Sequence, residues 1–334
     1  MDKEQEEIQY LGFFGILKES CNIMLSCKKI FLQISLALMV PLSFIYLSQI
    51  LISDYLFSDI IQESFILDHT PTGTTSYNNV SNILSSDWTK LVVFKLAYFI
   101  FFVILSLLST SAVVYTIACI YTAKEFSFKK VMDVVPKVWK RLMVTFVCNS
   151  IVVFAYNMMG AIVLVTLFFM GFVNDREIGA VLVIFLIIYF VGLVYISLIW
   201  YLANVVSVLE DVKGTEAMLK SQRLLKGKMG ISVGFIVLFG LCFIGNQQIF
   251  DWFVVAREQE NITSSRIGFG ILCLLVHSGL MLLGLIVHTI LYFVCKSYHH
   301  ESIDKSSLSN HLEVYLGEYV PLKSKDVQLG EFDI

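Results

Sequence analysis

Charged side chains are scarce in this sequence. Asp, Glu, Lys and Arg together make up 15% of its 334 residues, whereas 57% are hydrophobic and the mean hydropathy is +0.77. A soluble domain of ordinary composition carries about 25% charged residues. The shortage of charge therefore excludes an ordinary soluble globular protein and indicates an integral membrane protein.

Several signatures of chemistry are also missing. The chain has no His-Glu-x-x-His zinc motif and no phosphate-binding P-loop. His299 and His300 are neighbours that point to different sides of a helix, and they have no evident third ligand. We therefore expect no enzymatic activity, no cofactor and no bound metal. No Asp or Glu lies in the middle of an apolar stretch, which argues against a coupled transporter but not against a channel or a lipid-handling protein.

Six apolar stretches are each long enough to cross a bilayer, which requires about 20 residues. They predict an all-α membrane protein with six transmembrane helices arranged as three hairpins. Residues 1–29 would form an N-terminal segment, 30–295 the membrane domain, and 296–334 a largely disordered polar tail. The predicted spans are Ile30–Ile52, Leu91–Tyr121, Leu142–Val173, Ile178–Val208, Met229–Val254 and Ile267–Cys295.

Positive charge is confined almost entirely to alternate connecting segments. Most of the 24 Lys and Arg residues lie in the N-terminal segment, the loops after spans two and four, and the tail. Short loops rich in Lys and Arg stay cytoplasmic, so we expect both termini inside an endomembrane or plasma membrane. Two N-glycosylation sequons, at Asn79 and Asn261, fall in the predicted outer loops and agree with this orientation. Lys95, near the outer end of span two, is expected to extend to the interface.

Each odd-numbered span is preceded by a short basic, half-apolar segment: Phe13–Lys29, Phe126–Arg141 and Gly214–Lys228. In the first segment, Phe14, Leu17, Cys21 and Met24 recur at helical spacing. In the second segment, Phe128, Val131, Val135, Val138 and Leu142 do so. Amphipathic helices with a basic polar face lie in the membrane interface and favour anionic lipid. The segments therefore predict three interfacial helices, although any loop between spans can have this composition. The lipid-facing basic residues would be Lys28, Lys29, Lys140, Arg141, Lys226 and Lys228.

A few polar residues interrupt the apolar spans. His277 and His288 are eleven residues apart, which places them on the same helix face three turns apart. With the amide cluster of span five they predict a polar pathway, although such residues also commonly hydrogen-bond a neighbouring helix. The candidate pathway residues are Asn246, Gln247, Gln248, His277 and His288.

The tail contains a short sorting pattern. Tyr319-Val320-Pro321-Leu322 fits the Tyr-x-x-bulky-apolar signal that clathrin adaptors read, although four-residue patterns also arise by chance. Trafficking adaptors are therefore candidate partners, along with membrane lipids. Nucleic acid is not expected, because the chain lacks an aromatic RNA-binding motif and its basic residues are spread along membrane-surface loops.

The residues Glu210, Gly214, Glu216-Ala217, Lys220-Ser221, Leu224 and Gly227 form a pattern that resembles membrane domains attached to some bacterial glycerophosphodiester phosphodiesterases. In those families the domain is not the catalytic part. The start Phe13–Ser20 and the tail Tyr315–Lys323 resemble a plant family of six-span proteins of unknown function, some labelled polyadenylate-binding-protein-binding. The resemblance implies a fold and membrane residence, not an activity.

Two functional hypotheses follow from these features. The first is a non-enzymatic membrane organiser or trafficking scaffold that binds anionic lipid through its basic interfacial helices. The second is a channel or facilitator whose polar pathway is lined by spans five and six. A lipid-modifying enzyme would need convergent polar groups at one membrane face, which the sequence does not provide.

Overall fold

A computed structural model describes residues 9–122, 127–171, 178–255 and 263–300, and the regular secondary structure in these ranges is helical throughout. Six of the helices are long and apolar enough to cross a membrane, which confirms the predicted fold class. We number them as spans one to six: Lys28–His69, Thr75–Tyr121, Phe128–Phe169, Gly179–Leu209, Met229–Val255 and Ser265–Tyr298.

Spans one and two extend well beyond their apolar segments. Their helices continue past Ile52 to His69 and begin at Thr75 rather than at Leu91. The first predicted outer loop is therefore largely a helical hairpin, and the Thr74 hydroxyl caps its second helix by accepting from the Tyr77 N–H at 3.1 Å. Hydropathy marks only the part of a helix that a bilayer covers, so it could not locate these polar ends.

Two short amphipathic helices lie at one end of the bundle. The N-terminal helix is Phe13–Ser26 and the loop helix is Thr215–Leu225. We call the end at which spans one, three and five begin the basic end, and the other end the opposite end.

The second predicted interfacial segment is helical, but it runs without a break through Pro136 into span three, as helix Phe128–Gly171. A separate interfacial helix was therefore wrong at this position, because its stripe of Val131, Val135 and Val138 packs into the core.

Two π-helical turns interrupt the regular spans. One, Ser35–Met39, comes just before Pro41 in span one, and the other, Asp251–Val255, ends span five. Proline has no N–H to donate to the carbonyl of the preceding turn and its ring crowds that carbonyl. The wider turn before Pro41 is the local departure from α-helical geometry that the proline predicts.

Span six lies at the centre of the bundle and contacts spans one, two, four and five, as well as the N-terminal helix. Every residue from Ile286 to Cys295 is buried, and so is every residue from Ser109 to Cys119 of span two. Both segments belong to the basic-end half, where the main apolar core lies. In the opposite half of spans three and four, large apolar side chains such as Phe154, Ile162 and Phe190 are exposed. Such a surface suits a lipid environment.

Candidate functional site

A cavity of about 960 Å³ opens in the opposite half of the bundle, between spans one, two and five. Its polar lining combines two carboxylates, one ammonium group and several neutral side chains. Its apolar lining comes from the same three spans. The lining residues are Tyr46, Gln49, Ile50, Ser53, Asp54, Phe57, Leu91, Lys95, Gln247, Asp251 and Val255.

Tyr46 is held in place at the cavity wall by two contacts. Its hydroxyl donates to Oε1 of Gln247 at 3.0 Å, joining spans one and five. Its ring stacks on the imidazole of His277 from span six, with centroids 4.6 Å apart and planes 12° apart. His277 itself is buried, and neither ring nitrogen has a hydrogen-bond partner within the described ranges. His277 therefore supports the cavity wall from behind rather than lining the cavity.

The predicted pathway residues are dispersed in the structure. Of the five, only Gln247 lines the cavity. Asn246 is buried and donates to the Cys273 carbonyl at 3.4 Å, whereas Gln248 is exposed on the outside of span five. His288 lies deep in the basic-end half, with Nδ1 2.6 Å from the Gly284 carbonyl oxygen. Three adjacent amides cannot share a helix face, and span five remains helical through them.

Sequence reasoning assigned no site role to the three charged residues of the cavity. Lys95 was expected only to extend to the interface, but it lines the cavity. Asp54 lies just past the predicted end of span one, and Asp251 begins the π-helical turn that ends span five. The available signal was the general one that ionisable groups near membrane depth mark functional sites, together with the frequent occurrence of π-turns at such sites.

At the basic end, Glu210 is the centre of a polar network. Its Oε1 accepts from the Tyr292 hydroxyl at 2.5 Å and from Lys296 Nζ at 2.8 Å, while Oε2 pairs with Lys220 Nζ at 2.5 Å. Burial alone would raise the pKa of Glu210, but the hydrogen bonds from Lys220, Lys296 and Tyr292 outweigh it and hold its pKa below the usual value. The network joins the end of span four to the loop helix and to span six.

A second set of bonds anchors the chain between Glu210 and the loop helix. Thr145 Oγ1 lies 2.7 Å from Ser207 Oγ and accepts from the Gly214 N–H at 2.8 Å. Gly214 has a φ of +62°, which L-residues rarely adopt. An added Cβ there would lie 3.3 Å from Cys148 Sγ. Span three is thereby fixed to the same turn.

These contacts explain the sequence pattern that begins at Glu210. Lys220 is its ion-pair partner, and Gly227 takes a φ of +95° at the end of the loop helix. On the face of that helix towards the bundle lie Ala217, Ser221 and Leu224, all buried. The pattern therefore specifies how a loop helix docks on a helical bundle.

The six basic residues predicted to face lipid fall into two groups. Arg141 pairs with Asp211 at 2.9 Å and donates to the Glu210 carbonyl, so it clamps spans three and four together. Lys228 is half-buried, donates to the Gln9 carbonyl at 2.9 Å and lies over the Tyr298 ring. Both of these side chains therefore bind protein groups, and their contact with lipid stays a prediction. The four exposed residues are Lys28, Lys29, Lys140 and Lys226.

The chain contains one sequence match to a hydrolase motif, but its local structure differs from that of the motif. Residues Gly230-Ile231-Ser232-Val233-Gly234 fit the Gly-x-Ser-x-Gly pattern of hydrolases, in which the serine stands exposed on a sharp strand-to-helix turn. Here the pattern lies inside a continuous helix. Ser232 is buried, and its hydroxyl donates to the Lys228 carbonyl at 3.0 Å. The segment is therefore not a nucleophile elbow.

Asn79 is the one predicted modification or sorting residue that the structure describes. It is exposed near the start of the helix Thr75–Tyr121. Its glycosylation stays a prediction. Asn261, Tyr319 and Leu322 lie outside the described residues.

A comparison with protein families shows to which family the chain belongs. The profile of a family described as "Domain of unknown function (DUF8558)" matches residues 1–332. The chain belongs to the DUF8558 family. No curated protein and no solved structure matches it. Membership in DUF8558 thus agrees with a single six-span unit over the whole chain and assigns no activity.

Proposed function

We propose that this DUF8558 protein is a non-enzymatic membrane organiser that binds anionic lipid at its basic end. The observation that carries the proposal is the placement of Lys28, Lys29, Lys140 and Lys226. All four side chains are exposed at the end of the bundle where the two amphipathic helices lie. Lysines near a membrane surface attract anionic headgroups, each contributing about 1 kcal/mol.

The N-terminal helix has the two faces that an interfacial helix requires. Ile16, Ser20 and Ile23 are buried against the bundle. Phe14 and Leu25 are 80% and 66% exposed, and Lys18 shares their side of the helix. An exposed apolar side chain beside a lysine is suited to the boundary between headgroups and acyl chains.

The Glu210 network supports the same role, because it fixes the loop helix to spans four and six. Lys226, one residue beyond that helix, therefore has a defined position relative to the bundle. Cations on a rigid surface lose less conformational entropy on binding than cations on a free loop. We infer that the basic end faces the cytoplasm, in keeping with the positive-inside rule.

The partners and location follow as parts of this proposal. The anionic lipid would be that of a cytoplasmic leaflet of an endomembrane or the plasma membrane. Tyr319 and Leu322 would recruit trafficking adaptors to the tail. The resemblance to plant six-span proteins makes a plant endomembrane the first place to look.

The lipid-binding part is tested by reconstituting the full chain with phosphatidylcholine and phosphatidylserine. Lipid retained after mild detergent extraction is then measured by native mass spectrometry. The four-site variant Lys28→Gln, Lys29→Gln, Lys140→Gln, Lys226→Gln should lose most of its bound phosphatidylserine, with affinity falling about fivefold for each lysine removed. The control Lys90→Gln removes a lysine near the opposite end and should retain the lipid. Equal retention by the four-site variant and the wild type would refute anionic-lipid binding.

The scaffold part is tested in cells by deleting residues 301–334 and by the point change Tyr319→Ala. Both should shift the steady-state distribution and slow internalisation. An unchanged distribution and rate would refute adaptor recruitment while leaving the lipid result untouched.

A facilitator is the second candidate, and the cavity is the observation that favours it. A continuous pathway would also have to pass the basic-end half, where Leu38, Met39 and Ile117 are buried and apolar. Transport would therefore require that half to open. Solute flux into proteoliposomes that Gln247→Leu abolishes would establish the facilitator over the organiser.

A further inference from the structure

The cavity places opposite charges on different spans. Lys95 comes from span two, Asp54 from span one, and Asp251 from the π-helical turn that ends span five. In the part of the chain that the structure describes, no ion pair joins any of the three to another side chain. The protein therefore leaves the charges of both signs available to a ligand.

The same cavity offers apolar surface at the depth of a membrane boundary. Ile50, Phe57 and Leu91 line it next to the charged groups. Lys95 lies four residues inside the apolar part of span two, and Asp54 lies just beyond the apolar part of span one. A bilayer has its headgroup region where such segments end. A ligand that fits this lining is charged on one part and apolar on another.

We propose that the cavity binds the headgroup of a zwitterionic phospholipid. Its phosphate would pair with Lys95 and its ammonium group with Asp54 and Asp251. The acyl chains would leave along the exposed apolar side chains of the opposite half. The cavity volume of about 960 Å³ falls within the roughly 300–1,000 Å³ of ordinary ligand sites.

The charge pattern selects a zwitterion over a simple ion. A lone anion at Lys95 would share the cavity with two carboxylates, and a lone cation at the carboxylates would share it with an ammonium group. Each would meet like charge, which opposes binding. A headgroup that carries a phosphate and an ammonium group a few bonds apart can pair with Lys95 and with the two carboxylates at the same time.

The neutral groups of the cavity are positioned before any ligand arrives. Tyr46 is fixed by its stack on His277 and by its hydrogen bond to Gln247 Oε1. That bond occupies the amide oxygen, so Gln247 Nε2 remains as a donor for a phosphate oxygen. Preorganised donors lower the entropic cost of binding. The π-turn at Asp251 is a further feature typical of a ligand site.

The proposal is tested on the full chain in detergent with short-chain lipids below their micellar concentrations. The probes are dihexanoyl phosphatidylethanolamine, phosphatidylcholine and phosphatidylglycerol, and binding is read by calorimetric titration. The two zwitterionic lipids should bind more tightly than the anionic one. Lys95→Gln should weaken zwitterion binding about tenfold, whereas Lys95→Arg should largely retain it. Asp54→Asn with Asp251→Asn should also weaken zwitterion binding and should reverse the preference, so that phosphatidylglycerol binds best.

Matched controls are Asp59→Asn and Lys90→Gln, which lie on the same helices outside the cavity lining. Unfolding temperatures of all variants establish that they fold. Binding unaffected by the cavity variants, or no preference among headgroups in the wild type, would overturn the proposal. Free phosphoethanolamine binding as tightly as the lipid would overturn the lipid as the source of the headgroup. Every variant here is far from the basic end, so this result is independent of the test of anionic-lipid binding.

Discussion

The two halves of this bundle are built from the same kind of apolar helix but differ in how they hold together. In the basic-end half, spans two and six are buried along three turns each, and a carboxylate binds three donors from two other elements. In the opposite half, the hairpin of spans three and four exposes apolar side chains along its length, and a cavity opens between spans one, two and five.

The difference reflects what can hold helices together in lipid. Acyl chains are as apolar as leucine, so burial of apolar surface gives little preference for helix contact over lipid contact. Close packing and polar contacts must supply that preference. The basic-end half has both, in the Glu210 network and in the turn at Gly214. The opposite half has polar contacts as well, such as Tyr46 with Gln247 and Arg266 with the Val254 carbonyl, and a smaller apolar cluster around Leu47. It differs in that it also holds the cavity between spans one, two and five.

The largest effect on stability is expected from removing the carboxylate of Glu210 in the basic-end half. Glu210→Gln leaves Lys220 and Lys296 without their anion in a poorly solvated site, and should cost about 3 kcal/mol of unfolding free energy. Tyr292→Phe removes only one hydrogen bond to the same group and should cost about 1 kcal/mol. Thermal unfolding in detergent measures both. Similar losses for the two variants would show that the ion pairs contribute nothing beyond one hydrogen bond.

The same network predicts an acid dependence. The pKa of Glu210 is lower in the folded protein, so its stabilisation is fully present above its unfolded value of about 4.3. It is lost as the pH falls through the lowered folded pKa. The difference in unfolding temperature between wild type and Glu210→Gln should therefore be constant from neutral pH to about pH 5 and shrink in stronger acid. A difference that grows on acidification would contradict the direction of the pKa shift.

A pair of glycine substitutions compares the two halves directly. Gly214→Ala forces an alanine into a φ of +62° beside Cys148 and should cost about 1–2 kcal/mol. Gly245→Ala lies in the opposite half of span five with nothing within 4 Å of the added Cβ. It should leave stability unchanged or raise it slightly, because alanine favours the helix. Equal destabilisation by both would show that the opposite half is packed as tightly as the basic end.

Cysteine probes should have the smallest effect on stability. They compare the two halves by how readily an introduced thiol reacts. In a background without native cysteines, Ser53→Cys in the cavity should react with a membrane-impermeant maleimide, whereas Ser232→Cys, buried at the basic end, should not. Reagent added outside intact cells also tests orientation. Labelling of Ser53→Cys only after permeabilisation would place the cavity on the cytoplasmic side and reverse the proposed topology.

The sequence could predict features that depend on local composition. Apolar runs located all six spans, and helical spacing identified Val131, Val135 and Val138 as one apolar stripe. The same spacing could not tell what the stripe faces. It packs in the core of the bundle, whereas Phe14 of the N-terminal helix is exposed. A stripe against protein and a stripe against lipid have the same composition, because both surroundings are apolar.

The partners of charged residues could likewise not be predicted from composition. Composition predicted that basic residues gather at one end, and Lys28 and Lys29 are exposed there. Only the tertiary structure showed that Arg141 and Lys228 are bound to protein groups, because their partners Asp211 and Gln9 are distant in sequence. The polar tail and its Tyr319 pattern stay predictions.

By itself the sequence determined the helical class and the number of spans, because both follow from the length of apolar runs measured against a bilayer. The tertiary structure alone decided which polar residues meet. Glu210 joins Lys296 across 86 residues of chain, and Lys95 shares a cavity with Asp251 from a different hairpin. Such meetings depend on how hairpins pack against one another, and that packing is set by side-chain shape and polar pairing between distant segments rather than by the hydropathy of any one segment.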